Sequence, residues 1–171
     1  VPEKEYLNFI RKITLEKNIV LIFDEVVTGF RLGTGGASEF FGIKPDIVTF
    51  SKSVANGFSL ATICGRRELL EQFAPTGDVY QASTYAGNPV AVTAAIATIS
   101  ALTRGRNQIY PRMTRVCDSL IDGIRDVARD RKIPCRINSF SSMYQLFFTT
   151  REVRDMTSAK TSDLDMFNTL F

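Results

Sequence analysis

The sequence predicts an α/β protein in which residues 1–105 form a mainly parallel sheet with helices on both faces. Two short runs, residues 19–23 and 46–50, are rich in Val, Ile, Leu and Phe and lack a regular polar alternation. Such runs are typical of strands that are covered on both faces, as in parallel sheets. Segments with a helical spacing of apolar residues alternate with these runs, which favours an α/β domain.

The other elements of this first part can be placed in order along the chain. Residues 2–18 have the spacing of an amphipathic helix, and residues 38–42 read as a short helix that a glycine closes. A third short strand is expected at residues 60–64, followed by a helix at 66–73 and a loop. Residues 90–102 are nearly all Ala, Val and Ile. This helix is apolar on every side, and we expect it to be buried.

Residues 106–171 predict part of a smaller α+β domain, and the polar stretch Arg104-Gly105-Arg106-Asn107 marks the boundary. A long amphipathic helix is expected at 109–131, strands at 134–137 and 143–148, and a closing helix at 162–171. The apolar stripe of the long helix comprises Met113, Val116, Leu120, Ile124 and Val127. The chain begins without Met and ends within a predicted helix, so we expect it to be an internal part of a longer protein.

The composition excludes several classes of function. The 21 basic and 18 acidic residues are interleaved, so no basic patch predicts a nucleic-acid partner. Histidine is absent, which removes the usual zinc sites and every nucleophile that depends on a histidine base, and we expect no metal. Three widely spaced cysteines indicate a reducing compartment. No apolar run is long enough for a membrane span, so a soluble, cytoplasmic protein is expected.

Two residues that could carry chemistry follow the two apolar strands. Asp24 ends the first run and Lys52 comes just after the second. In open parallel sheets, ligands bind beyond the carboxyl ends of the strands, so an acid and an amine would face one crevice. Either residue alone is more often an ordinary polar residue at a strand end.

The pair has a specific use with pyridoxal phosphate (PLP). This cofactor needs a lysine that forms a Schiff base and a carboxylate beside its pyridine nitrogen. The carboxylate favours the protonated ring, because a nearby opposite charge stabilises the charged form. A lysine that substrate displaces can then act as a general base and acid.

Other motifs fit less well. Gly33-Thr34-Gly35-Gly36 hints at a dinucleotide loop, but Ser38 stands at the position of the last glycine, and the helix that follows is short. Asp24 and Glu25 are adjacent on a strand and should point to opposite faces, so they are not expected to share a site.

A longer pattern resembles the class III aminotransferase family. It runs from Ile22-Phe23-Asp24-Glu25-Val26-Val27-Thr28-Gly29-Phe30-Arg31 through Lys44-Pro45-Asp46 to Ser51-Lys52 and Asn56-Gly57. Within that family the chain is most similar to the aminomutases, on the residues Gly35-Gly36-Ala37, 80–89 and Ser142-Met143. The resemblance extends over nearly the whole chain and implies a fold-type I PLP-dependent enzyme.

The resemblance also implies roles for individual residues. Lys52 would hold PLP and shuttle the proton, Asp24 would pair with the pyridine nitrogen, and Val26 would pack on the ring. Thr84 would hydrogen-bond the phosphate of the cofactor in the neighbouring subunit of a homodimer. The phosphate loop, the aromatic residue that stacks on the ring and the gating loop would lie outside residues 1–171.

The implied reaction is an exchange of an amino group within a small amino aldehyde, through the pyridoxamine phosphate form of the cofactor. Two alternatives stay open. The protein could be another class III aminotransferase, moving an amine to a keto acid, aldehyde or sugar, or an inactive truncated homologue. The departures from the family pattern include Gly57-Phe58-Ser59, where Gly-x-Pro is usual, and Ser83, where Gly is common. A plastid location replaces the cytoplasmic one if a transit peptide precedes these residues.

Overall fold

A computed structural model describes residues 1–170 of the chain. The chain divides into two compact units, residues 1–110 and the residues from Pro111 onward. The break lies slightly beyond the expected boundary at 105/106. The assignment of the two units to a large and a small domain of a longer enzyme stays a prediction.

The first unit contains three strands and four complete helices. They are α1 (Lys4–Glu16), β1 (Ile22–Asp24), α2 (Gly36–Phe41), β2 (Ile47–Phe50), β3 (Thr62–Gly65), α3 (Arg67–Leu70) and α4 (Pro89–Arg104), with a 3-10 turn at Lys52–Val54. Helix α5 (Arg106–Asp130) begins here and continues into the second unit, which also contains β4 (Arg136–Phe140), β5 (Met143–Phe147), α6 (Met156–Ala159) and α7 (Leu164–Leu170). The closing helix is confirmed through Leu170, and Phe171 lies outside the described residues.

The first unit has a three-stranded sheet in the order β1-β2-β3. Strands β1 and β2 are parallel, as expected, and Asp24 pairs with Thr49. Strand β3 runs antiparallel to β2. The connection between them explains this direction, because residues 51–61 hold only a 3-10 turn. A parallel return needs a crossover of about a dozen residues or more, usually with a helix.

The core of the first unit lies beneath the carboxyl ends of β1 and β2. Phe30, Val54, Ala55 and Ala95 form a buried cluster. The rings of Phe30 and Phe50 also pack at a centroid distance of 5.3 Å. This cluster joins the loop after β1, the turn after β2 and one face of α4.

Helix α4 is less buried than its composition predicts. Ala91 and Ala95 are buried, whereas Val90 and Ile96 are exposed by 60% and 62%. The expectation of burial on every side is therefore wrong for the described residues, because the core covers only one face of the helix. Strand β1 was likewise expected to be covered on both faces, but its residue Ile22 is exposed. Helix α3 is also shorter than the expected 66–73.

In the second unit, β4 and β5 form an antiparallel hairpin that joins Phe140 to Met143 across its end. Strand β5 agrees with the expected 143–148, whereas β4 begins two residues later and ends three residues later than the expected 134–137. The buried face of α5 in this unit contains Cys117, Ile121 and Ala128. The predicted stripe included three residues that are exposed instead: Val116, Leu120 and Val127. Both sets have helical spacing, so periodicity alone could not tell which one is buried.

Asp46 holds together the amino ends of the parallel strands. It is 5% exposed and accepts hydrogen bonds from Arg11 Nη1 at 2.8 Å and from the amide of Leu21 at 2.8 Å. Arg66 Nε lies 3.5 Å from its other oxygen. These contacts link α1, the start of β1 and the residue after β3. The hydrogen bonds from Arg11 and the Leu21 amide, with the charges of both arginines, outweigh burial and lower the pKa of Asp46.

We predict that Asp46→Asn lowers the free energy of unfolding by about 3 kcal/mol near neutral pH, because Arg11 loses a buried charge partner. A carboxylate with a depressed folded pKa stabilises the fold above its unfolded value and loses this effect as the pH falls through the folded value. In urea titrations, the difference between wild type and variant should shrink as the pH falls below 3.8. Asp126→Asn, in the exposed pair with Arg129, should change little, and an equal loss in both variants would contradict this role of Asp46.

Candidate active site

The structure places Asp24 and Lys52 beyond the carboxyl ends of neighbouring parallel strands. Asp24 is the last residue of β1 and pairs with Thr49 of β2. Lys52 follows Thr49 by three residues and begins the 3-10 turn. For an extended chain, a strand spacing of about 4.8 Å and a rise of about 3.3 Å per residue would put the two backbones roughly 11 Å apart. Two side chains can meet the opposite ends of one aromatic ring across such a gap.

The carboxylate of Asp24 is held on one side and open on the other. Its Oδ1 accepts a hydrogen bond from the amide of Val26 at 2.9 Å and a longer one from Thr49 Oγ1 at 3.4 Å. Within residues 1–170, no donor reaches its Oδ2. The side chain is exposed, so this second oxygen is available to a ligand.

Lys52 has an unusual backbone conformation. Its φ is +44°, in the left-handed region that costs a non-glycine residue about 1–2 kcal/mol. The surrounding contacts compensate for this cost. Val54 and Ala55 are buried just after it, and Ser51 Oγ donates a hydrogen bond of 2.9 Å to the carbonyl of Leu60. A packed turn therefore presents the lysine side chain, which is exposed.

The other two predicted site residues lie in different settings. Val26 is half-buried and follows Asp24 by two residues. Thr84 begins an exposed turn at residues 84–87. The role predicted for Thr84 involves a second subunit, so a single chain does not test it.

A groove of about 830 Å³ adjoins the turn that carries Lys52. Ser51 lines it on one side, and Ser83 and Tyr85, the two neighbours of Thr84, line it on another. The remaining lining residues come mainly from 59–63 and 86–87. Neither Asp24 nor Lys52 is among the lining residues, so the groove adjoins Ser51 and the Thr84 turn but is not lined by either candidate residue.

Glu25 is 1% exposed, whereas Asp24 beside it is exposed, so the two carboxylates lie in different surroundings. Its Oε2 accepts hydrogen bonds from Thr28 Oγ1 at 2.8 Å and the Ala37 amide at 2.6 Å. Its Oε1 accepts one from the Ser38 amide at 2.7 Å and a further one from Ser38 Oγ. The buried carboxylate thereby closes the loop between β1 and α2. Sequence reasoning missed this role, although hydroxyl residues at 28 and 38 around a glycine-rich loop were a signal.

The described part of the chain contains no cluster of His, Cys, Asp or Glu that could hold a metal ion. Likewise, no helix within residues 1–170 combines the length and apolarity needed to cross a membrane. The candidate site comprises the exposed amine of Lys52, the carboxylate of Asp24 and the half-buried apolar side chain of Val26.

The class-III aminotransferase family model matches residues 1–161. The chain belongs to this family. It is 46% identical to glutamate-1-semialdehyde 2,1-aminomutase of Nitrosopumilus maritimus over 100% of this chain and 40% of that protein. Identity to the aminomutase of Methanocaldococcus jannaschii is 44% over 100% of this chain and 39% of the relative.

Solved structures agree with this membership. A transaminase with PLP bound has a TM-score of 0.75 and 26% identity, covering 86% of this chain and 35% of that one. The predicted fold class is confirmed. The chain spans about 40% of the length of the curated relatives that it matches.

We predict that Gly36→Ala is far more destabilising than Gly42→Ala. Both glycines have a positive φ, +63° and +70°, so alanine should cost about 1 kcal/mol at either position for the left-handed backbone. A Cβ at Gly36 would also collide with Glu25 Oε2, whereas Gly42 faces open space. Overpacking should raise the cost at Gly36 to about 3 kcal/mol. Urea unfolding measures the stability of both variants. Equal losses would show that the hydrogen bonds around Glu25 rearrange at little cost to accommodate the added Cβ.

Proposed function

We propose that the complete protein containing this chain is a glutamate-1-semialdehyde 2,1-aminomutase that uses PLP. It exchanges the amino group within its substrate and forms 5-aminolevulinate, a precursor of tetrapyrroles. The observation that carries the PLP chemistry is the placement of Asp24 and Lys52 at the ends of paired parallel strands. The similarity to aminomutases over the entire chain supports the choice of substrate.

The residues at the sheet edge fit PLP by their chemistry. Lys52 offers an exposed amine and Asp24 an unpaired carboxylate oxygen. Val26 offers a half-buried apolar surface for a ring face. When bound, PLP would supply a ring that withdraws electrons from the substrate carbon that loses a proton.

The chain's own residues then have distinct tasks. Lys52 would hold the cofactor through its side-chain nitrogen, and its amine, when free, would move a proton between carbon atoms of the substrate. Asp24 accepts a hydrogen bond from the pyridine nitrogen and so favours the protonated ring. Val26 keeps water from one face of the ring.

The proposal includes a homodimer in which Thr84 donates a hydrogen bond to the phosphate of the partner's cofactor. Thr84 lies in an exposed turn, which leaves its hydroxyl accessible to a second chain. The protein is proposed to act in the cytoplasm, or in a plastid if a transit peptide precedes these residues.

A second candidate is a class-III aminotransferase that needs a separate amino donor and acceptor. The 26% identity to a solved transaminase supports this second candidate. Both candidates use Asp24 and Lys52 in the same way, so only the substrate separates them.

We expect the complete protein with PLP to show a visible absorption band and a covalent link to Lys52 that borohydride makes permanent. Lys52→Ala should abolish both, since no other amine stands at this sheet edge among residues 1–170. Lys44→Ala removes an exposed lysine just before β2 and should keep both signals. A reducible link that persists in Lys52→Ala would reject the assignment.

We also expect the complete protein to convert glutamate-1-semialdehyde into 5-aminolevulinate with no second amino compound present. The measurement is product formation with the semialdehyde alone, followed by addition of amino donors or keto acids. The Lys52→Ala variant serves as the blank. Strict dependence on a second substrate would favour the aminotransferase instead.

A further inference from the structure

Glu25 is a buried carboxylate for which the proposed mechanism has no task. All its hydrogen-bond partners are neutral: two backbone amides and the hydroxyls of Thr28 and Ser38. None of the ion pairs described within residues 1–170 includes it. A buried charge is costly unless donors surround it. Four convergent donors meet this requirement and leave the side chain little freedom to move.

The backbone of Glu25 is held as firmly as its side chain. Its amide donates a hydrogen bond of 2.9 Å to the carbonyl of Thr49, which extends the pairing of β1 and β2 past Asp24. Its carbonyl accepts one of 2.8 Å from the amide of Gly29. The peptide group between Glu25 and Val26 therefore has a set orientation.

This peptide group carries the donor that orients Asp24. The amide of Val26 donates to Asp24 Oδ1 at 2.9 Å, and the carboxylate can then present only Oδ2 outward. A rotation of the peptide would move this amide and turn the carboxylate. The same rotation would shift the side chain of Val26.

We propose that Glu25 is a positioning residue for the PLP site. Its carboxylate holds the loop between β1 and α2 so that the Val26 amide directs Asp24 Oδ2 toward the pyridine nitrogen and Val26 lies against the ring. This inference rests on the proposed function, because it assigns Glu25 a task in binding the same cofactor.

Glu25→Gln in the complete protein tests the inference. Glutamine keeps the shape but turns an NH₂ group toward donors, so two hydrogen bonds are lost and the loop must shift. We expect the dissociation constant for PLP to rise about tenfold or more, and the pH at which the absorbance of bound PLP changes to move. Both quantities are measured by absorbance titration, under conditions where circular dichroism shows that the variant is folded.

Two further variants separate positioning from stability. Ser38→Ala removes one hydroxyl and keeps three donors, so it should fold and weaken PLP binding about threefold. Glu39→Gln makes the same chemical change on α2, where the carboxylate pairs with Arg106 at 2.7 Å and accepts from the Gly35 amide. That control should lose some stability and keep the wild-type PLP affinity and absorbance profile.

The outcomes distinguish this inference from the function on which it rests. If wild type binds PLP on Lys52 while folded Glu25→Gln and Ser38→Ala bind it within twofold of wild type, the positioning role is overturned and the proposed function stands. The positioning role is also overturned if Glu39→Gln weakens binding as much as Glu25→Gln does. A wild-type protein that forms no link to PLP overturns both.

Discussion

The parallel pairing of β1 and β2 is the constraint on which the site depends. The two strands contain three and four residues, which is too short to be stable by pairing alone. Each end of the pair is therefore held by other contacts. Asp46 and its arginines hold the amino ends, and the cluster around Phe30 and Val54 holds the carboxyl ends. With both ends fixed, Asp24 and the lysine turn keep a defined separation.

Two buried carboxylates in this unit are stabilised in different ways. Asp46 is neutralised by arginines from α1 and from the residue after β3, whereas Glu25 is surrounded by neutral donors. Charge pairing joins elements that are distant in sequence. Neutral donors from the loop after β1 and from the first turn of α2 fix the segment that follows Asp24.

The positions of Asp24 and Lys52 at the ends of β1 and β2 could be predicted because they depend on local patterns. The apolar runs located the ends of β1 and β2, and the spacing from Asp24 to Lys52 matched the pattern of a known family. Other features depended on contacts that a pattern does not contain. The burial of α4 and the inner face of α5 depend on which neighbours cover each helix, and β3 reverses because its connection is short. The role of Glu25 could not be predicted from the sequence, because it depends on residues 37 and 38 lying close to Glu25 in the folded chain.

The left-handed backbone at Lys52 has a consequence for which residue types this position tolerates. The conformation suits glycine or asparagine better than lysine. The burial of Val54 and Ala55 and the hydrogen bond from Ser51 Oγ to the Leu60 carbonyl hold the turn in place. Replacing the lysine by glycine would relax this strain at the same moment that it removes the amine. If Lys52 holds the cofactor, as proposed, selection for folding alone would favour a smaller residue at this position, and selection for activity would keep the lysine.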